Sequence, residues 1–190
     1  MGFFLLGGCS SVDFGRLSDP PGYWLPLTVE LQFDPSISAA ELSYLDACRQ
    51  NRSLKIGEPL KHALQRQIGR AFEHVRLAPA NVPVDGAVET SLGIAELTRF
   101  IPRQASRTYS VTLTLGGTAS YTSARGEALF TKSLKTEVRR DVYSEERNCE
   151  IGGMDKLVEK ATHNLAVGFA EALGTSIKIQ EAAQARSVHR

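Results

Sequence analysis

Residues 107–143 read RTYSVTLTLGGTASYTSARGEALFTKSLKTEVRRDVY, and their patterning decides the fold. From Arg107 to Ser120, Tyr109, Val111, Leu113 and Leu115 alternate with Ser110, Thr112 and Thr114. From Glu127 to Tyr143, Ala128, Phe130, Leu134 and Val138 face one way, while Thr131, Ser133, Lys135 and Glu137 face the other. Side chains along a strand alternate between the two sides of a sheet, so this pattern marks antiparallel strands with one dry and one wet face. Ser123-Ala124-Arg125-Gly126 supplies the hairpin turn between them.

The same reading extends in both directions. Val84, Val88, Thr90, Leu92 and Ile94 alternate through Val82 to Ile101, predicting a third strand. Leu27, Val29, Leu31 and Phe33 interleave with Thr28, Glu30 and Gln32 in a first strand that Asp34-Pro35-Ser36 closes. Ile37 to Arg49 fits either a short helical turn or an irregular excursion. Gly57-Glu58-Pro59 then opens a helix of about five turns. Leu60, Ala63, Leu64, Ile68, Ala71, Phe72 and Val75 form its apolar face, opposite Glu58, His62, Arg66, Arg70 and Glu73. A second helix follows Gly152-Gly153, with Met154, Leu157, Val158, Ala161, Leu165, Phe169 and Ala172 as its apolar stripe and a stop at Gly174. The expected fold is an α+β two-layer sandwich of order β-α-β-β-β-α, its mainly antiparallel sheet packed by two amphipathic helices. One domain is expected over residues 23–180, with a disordered polar tail at 181–190.

Composition narrows the function. The chain has 190 residues, with 22 Lys and Arg against 21 Asp and Glu, a net charge of +1. Such balance argues against a nucleic-acid partner, which requires a basic surplus to displace counterions. No apolar run is long enough for a transmembrane helix. Nucleophile elbow, glycine-rich phosphate loop, Cys-x-x-Cys and His-Glu-x-x-His motifs are all missing, so neither an enzyme nor a cofactor is expected. The histidines, His62, His74, His163 and His189, are dispersed without metal-ligand spacing, and no metal site is expected. Gly116-Gly117 reads as a bulge in a long strand, and Gly152-Gly153 as the start of a helix.

The chain opens MGFFLLGGCSS, and Leu6-Gly7-Gly8-Cys9 resembles the lipobox of bacterial lipoproteins. That resemblance implies that residues 1–8 are a truncated signal-peptide remnant. Cys9 would then become a lipidated N-terminus carrying diacylglycerol and an acyl chain such as palmitate, on a tether of residues 9–22. Ser10 after the cysteine implies the periplasmic face of the outer membrane. A lipid-anchored domain of this element order is similar to the lipopolysaccharide-assembly lipoproteins, the YajG-like lipoproteins and the auxiliary lipoproteins of lipid-exporting ABC systems. The family-level implication is a non-catalytic periplasmic accessory of outer-membrane biogenesis or envelope transport. It would bind the membrane through its lipid, and an envelope protein or an amphiphile through its domain. The Ser/Thr-rich strand from Thr108 to Thr122 is a candidate surface. The alternative is a structural envelope module that oligomerises through its sheet edge in a secretion or appendage assembly. If Cys9 takes lipid in an oxidising compartment, Cys48 and Cys149 remain as a pair, each just upstream of a helix. A disulfide between them is expected; two unrelated buried thiols are the alternative.

Overall fold

A computed structural model of the chain describes residues 22–100, 108–145 and 149–187. In chain order the elements are β1 (Leu25–Phe33), α1 (Pro35–Ser38), β2 (Glu41–Leu45), β3 (Asn51–Lys55), α2 (Gly57–Ala71) and β4 (Phe72–Leu77). They continue with β5 (Gly86–Phe100), β6 (Thr108–Ser123), β7 (Ala128–Glu145), β8 (Glu150–Gly152), α3 (Met154–Gly174) and α4 (Ile177–Ser187). Six strands form one sheet in the order β4-β1-β5-β6-β7-β8, and β2 and β3 form a separate hairpin. The pairs β5–β6, β6–β7 and β7–β8 are antiparallel, whereas β1 runs parallel to both β4 and β5. The fold is thus α+β with a mainly antiparallel sheet, as the alternation implies.

One face of this sheet is dry. Leu25, Leu27, Val29 and Leu31 of β1, Val88 of β5, Val111, Leu113 and Leu115 of β6, and Val138 and Val142 of β7 are buried in a single cluster. Leu60, Leu64 and Ile68 of α2 and Leu157, Leu165 and Phe169 of α3 complete it from the helical layer. The opposite face carries exposed Glu89, Glu96, Thr98, Ser133, Lys135 and Glu137. The helix α4 touches both β1 and β7, which have two strands between them, so the sheet curls around it.

Four expectations change in the structure. The first helix ends at Ala71, not near Val75, and Phe72 turns extended (φ −121°, ψ 152°) to begin β4. Phe72 and Val75 satisfy both a helical and a strand pattern. The open side of β1 decides between them, because Leu25 pairs with Phe72 and Val29 with Val75. The undecided stretch from Ile37 to Arg49 contains the end of α1, all of β2 and the turn that leads to β3. Third, the alternation of β5 breaks at Gly93, where the register with β6 slips between Leu92 and Ile94. The extra residue sends Ile94 to the exposed side and brings Ala95 and Leu97 to the core. Ser36 Oγ accepts the Leu92 N–H there at 3.1 Å. The fourth change concerns residues 181–187, which continue α4 instead of fraying. Ile179 and Ala183 are buried, and Arg186 pairs with Asp85, whose carboxylate also accepts the Thr28 N–H at 2.7 Å. Tyr121, whose hydroxyl donates to the Asp85 carbonyl at 3.2 Å, has its pKa raised to about 12 by burial and by the Asp85 charge.

The bulge requires glycine on the facing strand. A Cβ on Gly117 would lie 2.2 Å from the Ser91 carbonyl oxygen, a backbone atom that cannot rotate away. Gly117→Ala should therefore cost about 1–3 kcal/mol through overpacking. A lowered denaturant midpoint at unchanged slope checks this; an unchanged midpoint contradicts the bulge geometry.

Candidate functional site

The hairpin β2–β3 stands away from the main sheet and forms one wall of a cleft. Its base is tied where Ala40 accepts the N–H groups of Ile56 and Gly57 at 3.0 and 3.1 Å. Arg99 of β5 donates to the Leu45 carbonyl and lies over the rings of Tyr44 and Tyr109, at 5.6 and 5.8 Å from their centroids. Burial pushes the Tyr109 hydroxyl up against the opposing pull of the Arg99 guanidinium. Leu54 faces inward and is buried, while Arg52, Ser53 and Lys55 are exposed.

The tip of the hairpin is organised by Asp46. Its Oδ1 accepts the N–H groups of Cys48 and Gln50 at 2.9 and 2.8 Å, and its Oδ2 accepts the Arg52 Nε–H at 2.9 Å. The residue is 5% exposed, so these bonds replace lost water. Burial raises the pKa of the Asp46 carboxyl. The Gln50 N–H, the Arg52 guanidinium and the Cys48 N–H outweigh it and hold the group below its usual range. Asp46 was not singled out in the sequence. Its signal is an aspartate bonding the N–H two residues on, the Asx-turn pattern. This turn presents Cys48, which is disulfide-bonded to Cys149 with Cα atoms 5.0 Å apart. Both Arg49 (φ 64°) and Cys149 (φ 55°) occupy the left-handed region, where the chain turns sharply on each side of the bridge.

The opposite wall begins at Cys149. Residues 150–152 form β8 against Tyr143–Glu145, and Gly153 (φ 93°) makes the left-handed corner from which α3 starts. Between the walls lies a cleft of about 1060 Å³, flanked also by the first half of α2. Leu54, Ala63, Ile151, Met154 and Val158 give it apolar surface; Arg52, Lys55 and Arg66, together with Glu150, Asp155 and Glu159, line it with both signs of charge. An apolar floor with a rim of both signs suits an extended peptide segment or an amphiphile.

The sequence-derived sites fare differently. Cys9, its lipobox and the tether lie outside the described residues, as does His189. Cys48 and Cys149 meet at the cleft. His62 lines it, exposed; His163 is half-buried at the α2–α3 seam, its Nδ1 3.4 Å from Gln67 Nε2. His74 is exposed on β4. Among the described residues no group of three or more His, Cys, Asp or Glu is placed to hold a metal. The strand from Thr108 to Thr122 is β6, paired on both sides by β5 and β7, so it offers no free edge. Thr114, at the centre of its polar side, is 8% exposed.

No family model matches the chain. No curated protein matches it. Among solved structures it is similar to a Xanthomonas campestris protein described under the family model DUF330. That match has a TM-score of 0.56 at 11% identity and covers 89% of this chain and 95% of that one. It is also similar to uncharacterized lipoprotein B from Nitrosomonas europaea, with a TM-score of 0.52 at 12% identity, covering 88% and 97%. At these identities the likeness establishes a shared fold.

Two outcomes test the cleft architecture. Removing the bridge with Cys48→Ser and Cys149→Ser should lower stability by about 2–4 kcal/mol, since the closed loop is long, and denaturant midpoints measure it. The depressed Asp46 pKa means that its contribution is complete above the ordinary carboxylate pKa, about 3.9, and is lost as the pH falls through the folded value. Asp46→Asn should therefore be less stable than the parent at neutral pH, with the gap closing in acid. A gap that persists at about pH 2 contradicts the assignment.

Proposed function

We propose that the protein is a lipid-anchored, non-catalytic accessory of the bacterial envelope that uses the disulfide-bridged cleft to hold a segment of an envelope protein or an amphiphile. The observation that carries this reading is the cleft itself: apolar floor, mixed-charge rim, and a covalent tie across its two walls. The lipobox at Leu6-Gly7-Gly8-Cys9 supports the anchor. A fold shared with a protein called lipoprotein B agrees with it. Ser10 favours the outer membrane, and a disulfide suits an oxidising compartment. A role in outer-membrane biogenesis or envelope transport follows as the finer part of the proposal.

A second reading rests on the sheet edge. Among the described residues β7 spans Ala128–Glu145, yet β8 covers only Tyr143–Glu145. The exposed edge could pair with another copy, although Lys132, Lys135, Arg139 and Arg140 work against strand addition.

Photo-crosslinking in cells separates the two. A photoreactive residue at Arg66 should yield a discrete adduct with one envelope protein or a phospholipid, and Glu159→Trp, a bulky substitution at an exposed residue lining the cleft, should abolish it. Adducts of the chain with itself from Lys135, with none from Arg66, would transfer support to the oligomeric module.

A further inference from the structure

The domain has two distinct ends. The helix α3 starts beside the cleft at Met154 and runs 21 residues, about 31 Å, to Gly174 at the far end. There Gly174 lies against Tyr23: a Cβ on it would sit 2.2 Å from the Tyr23 carbonyl oxygen. The chain therefore enters β1 at the end opposite the cleft. Two of the exposed large apolar residues sit at this end, Trp24 at 40% and Ile177 at 70%. Ile177 is not left out by loose structure. The turn that bears it is fixed by Gln180 Nε2 donating to the Gly174 carbonyl at 2.9 Å, and Ile179, two residues on, is fully buried.

We propose that this end is a membrane-contact surface, with Trp24 and Ile177 entering the interfacial zone of a phospholipid bilayer. The inference rests on the lipid-anchored reading above. Three observations select a bilayer as the occupant. Trp combines a large apolar body with an N–H donor and concentrates where apolar and aqueous phases meet. Exposed Lys178 adjoins Ile177, so its stem can follow the apolar side chain while the ammonium reaches a headgroup phosphate. Exposed Glu171 and Glu181 at the same end make the contact apolar in character and not driven by net charge. Finally, the chain outside the described residues reaches the domain at this point. Cys9 and Gly22 are separated by 13 residues, which span at most about 45 Å. A link that short keeps the surface at high effective concentration next to the membrane, so a contact too weak to recruit the domain alone is still populated. The consequence is an orientation: the cleft is held about one α3 length from the bilayer, facing the aqueous side.

Trp24 is the only tryptophan in the chain, so its fluorescence reports on this surface alone. The full unlipidated chain, with Cys48–Cys149 oxidised, is coupled through the Cys9 thiol to a maleimide lipid in phosphatidylethanolamine/phosphatidylglycerol vesicles. Trp24 emission should move to the blue on coupling and fall about twofold when the vesicle lipids carry brominated chains. Ile177→Ser should restore most of that emission, while Leu45→Ser, at the cleft end, should leave it quenched. Lipidation in cells is read separately from the mass of the Cys9 peptide. An unacylated peptide overturns the anchored reading and the membrane surface with it. An acylated peptide together with emission indifferent to coupling and to bromine overturns the surface alone.

Discussion

A sheet with one covered face obliges every strand to keep its alternate residues in phase with the helices above it, and the rest of this structure follows from that constraint. The strand β6 sets the phase: Val111, Leu113, Leu115, Ala119 and Tyr121 share one face and are all buried. Its neighbours adapt to it. In β5 the phase would fail beyond Leu92, and one extra residue at Gly93 restores it, so that Ala95 and Leu97 rejoin the core opposite Leu115 and Leu113. The small cross-section of Gly116 and Gly117 makes room for the slip. Slipping by one residue inverts a strand's faces, so the bulge decides whether half of β5 is wet or dry.

The cleft belongs to the part of the chain that this constraint does not reach. The hairpin β2–β3 pairs only with itself, and it is held by its base, by Arg99 and by the bridge from its tip to Cys149. Its local order is polar, centred on the buried Asp46 carboxylate. A polar hinge region with a covalent tie can define a cleft without filling it, which an apolar core would not do. The helices extend from this region to the opposite end, so that one axis separates the candidate binding site from the point where the chain joins the domain.

Some features were legible because local pattern and tertiary demand agree. The strands of residues 107–143, the first strand, the apolar stripe of α3 and its start after Gly153 all show this agreement. The errors fall where two patterns coincide or where polar residues carry the structure. Phe72 and Val75 fit a helical stripe and a strand equally, and Ile179 and Ala183 are too few and too widely set in a polar stretch to announce a buried helix. The cleft was hidden for a related reason: its walls come from residues 44–66 and 149–162, which are distant in sequence and carry no motif.

By itself the sequence determined the class of fold, the antiparallel β6–β7 hairpin, the two amphipathic helices and the candidacy of Cys9, Cys48 and Cys149, because these depend on period, turn chemistry and residue type. Only the tertiary structure decided that the chain leaves α2 at Ala71 to run parallel beside β1, that Gly93 is the bulge, that α4 is ordered, and that the bridge spans a cleft. Each of these is a choice between locally equivalent conformations. Ladder hydrogen bonds on an open strand edge, burial of apolar surface, or a charge pair such as Asp85–Arg186 settle such choices, and their partners lie far away along the chain.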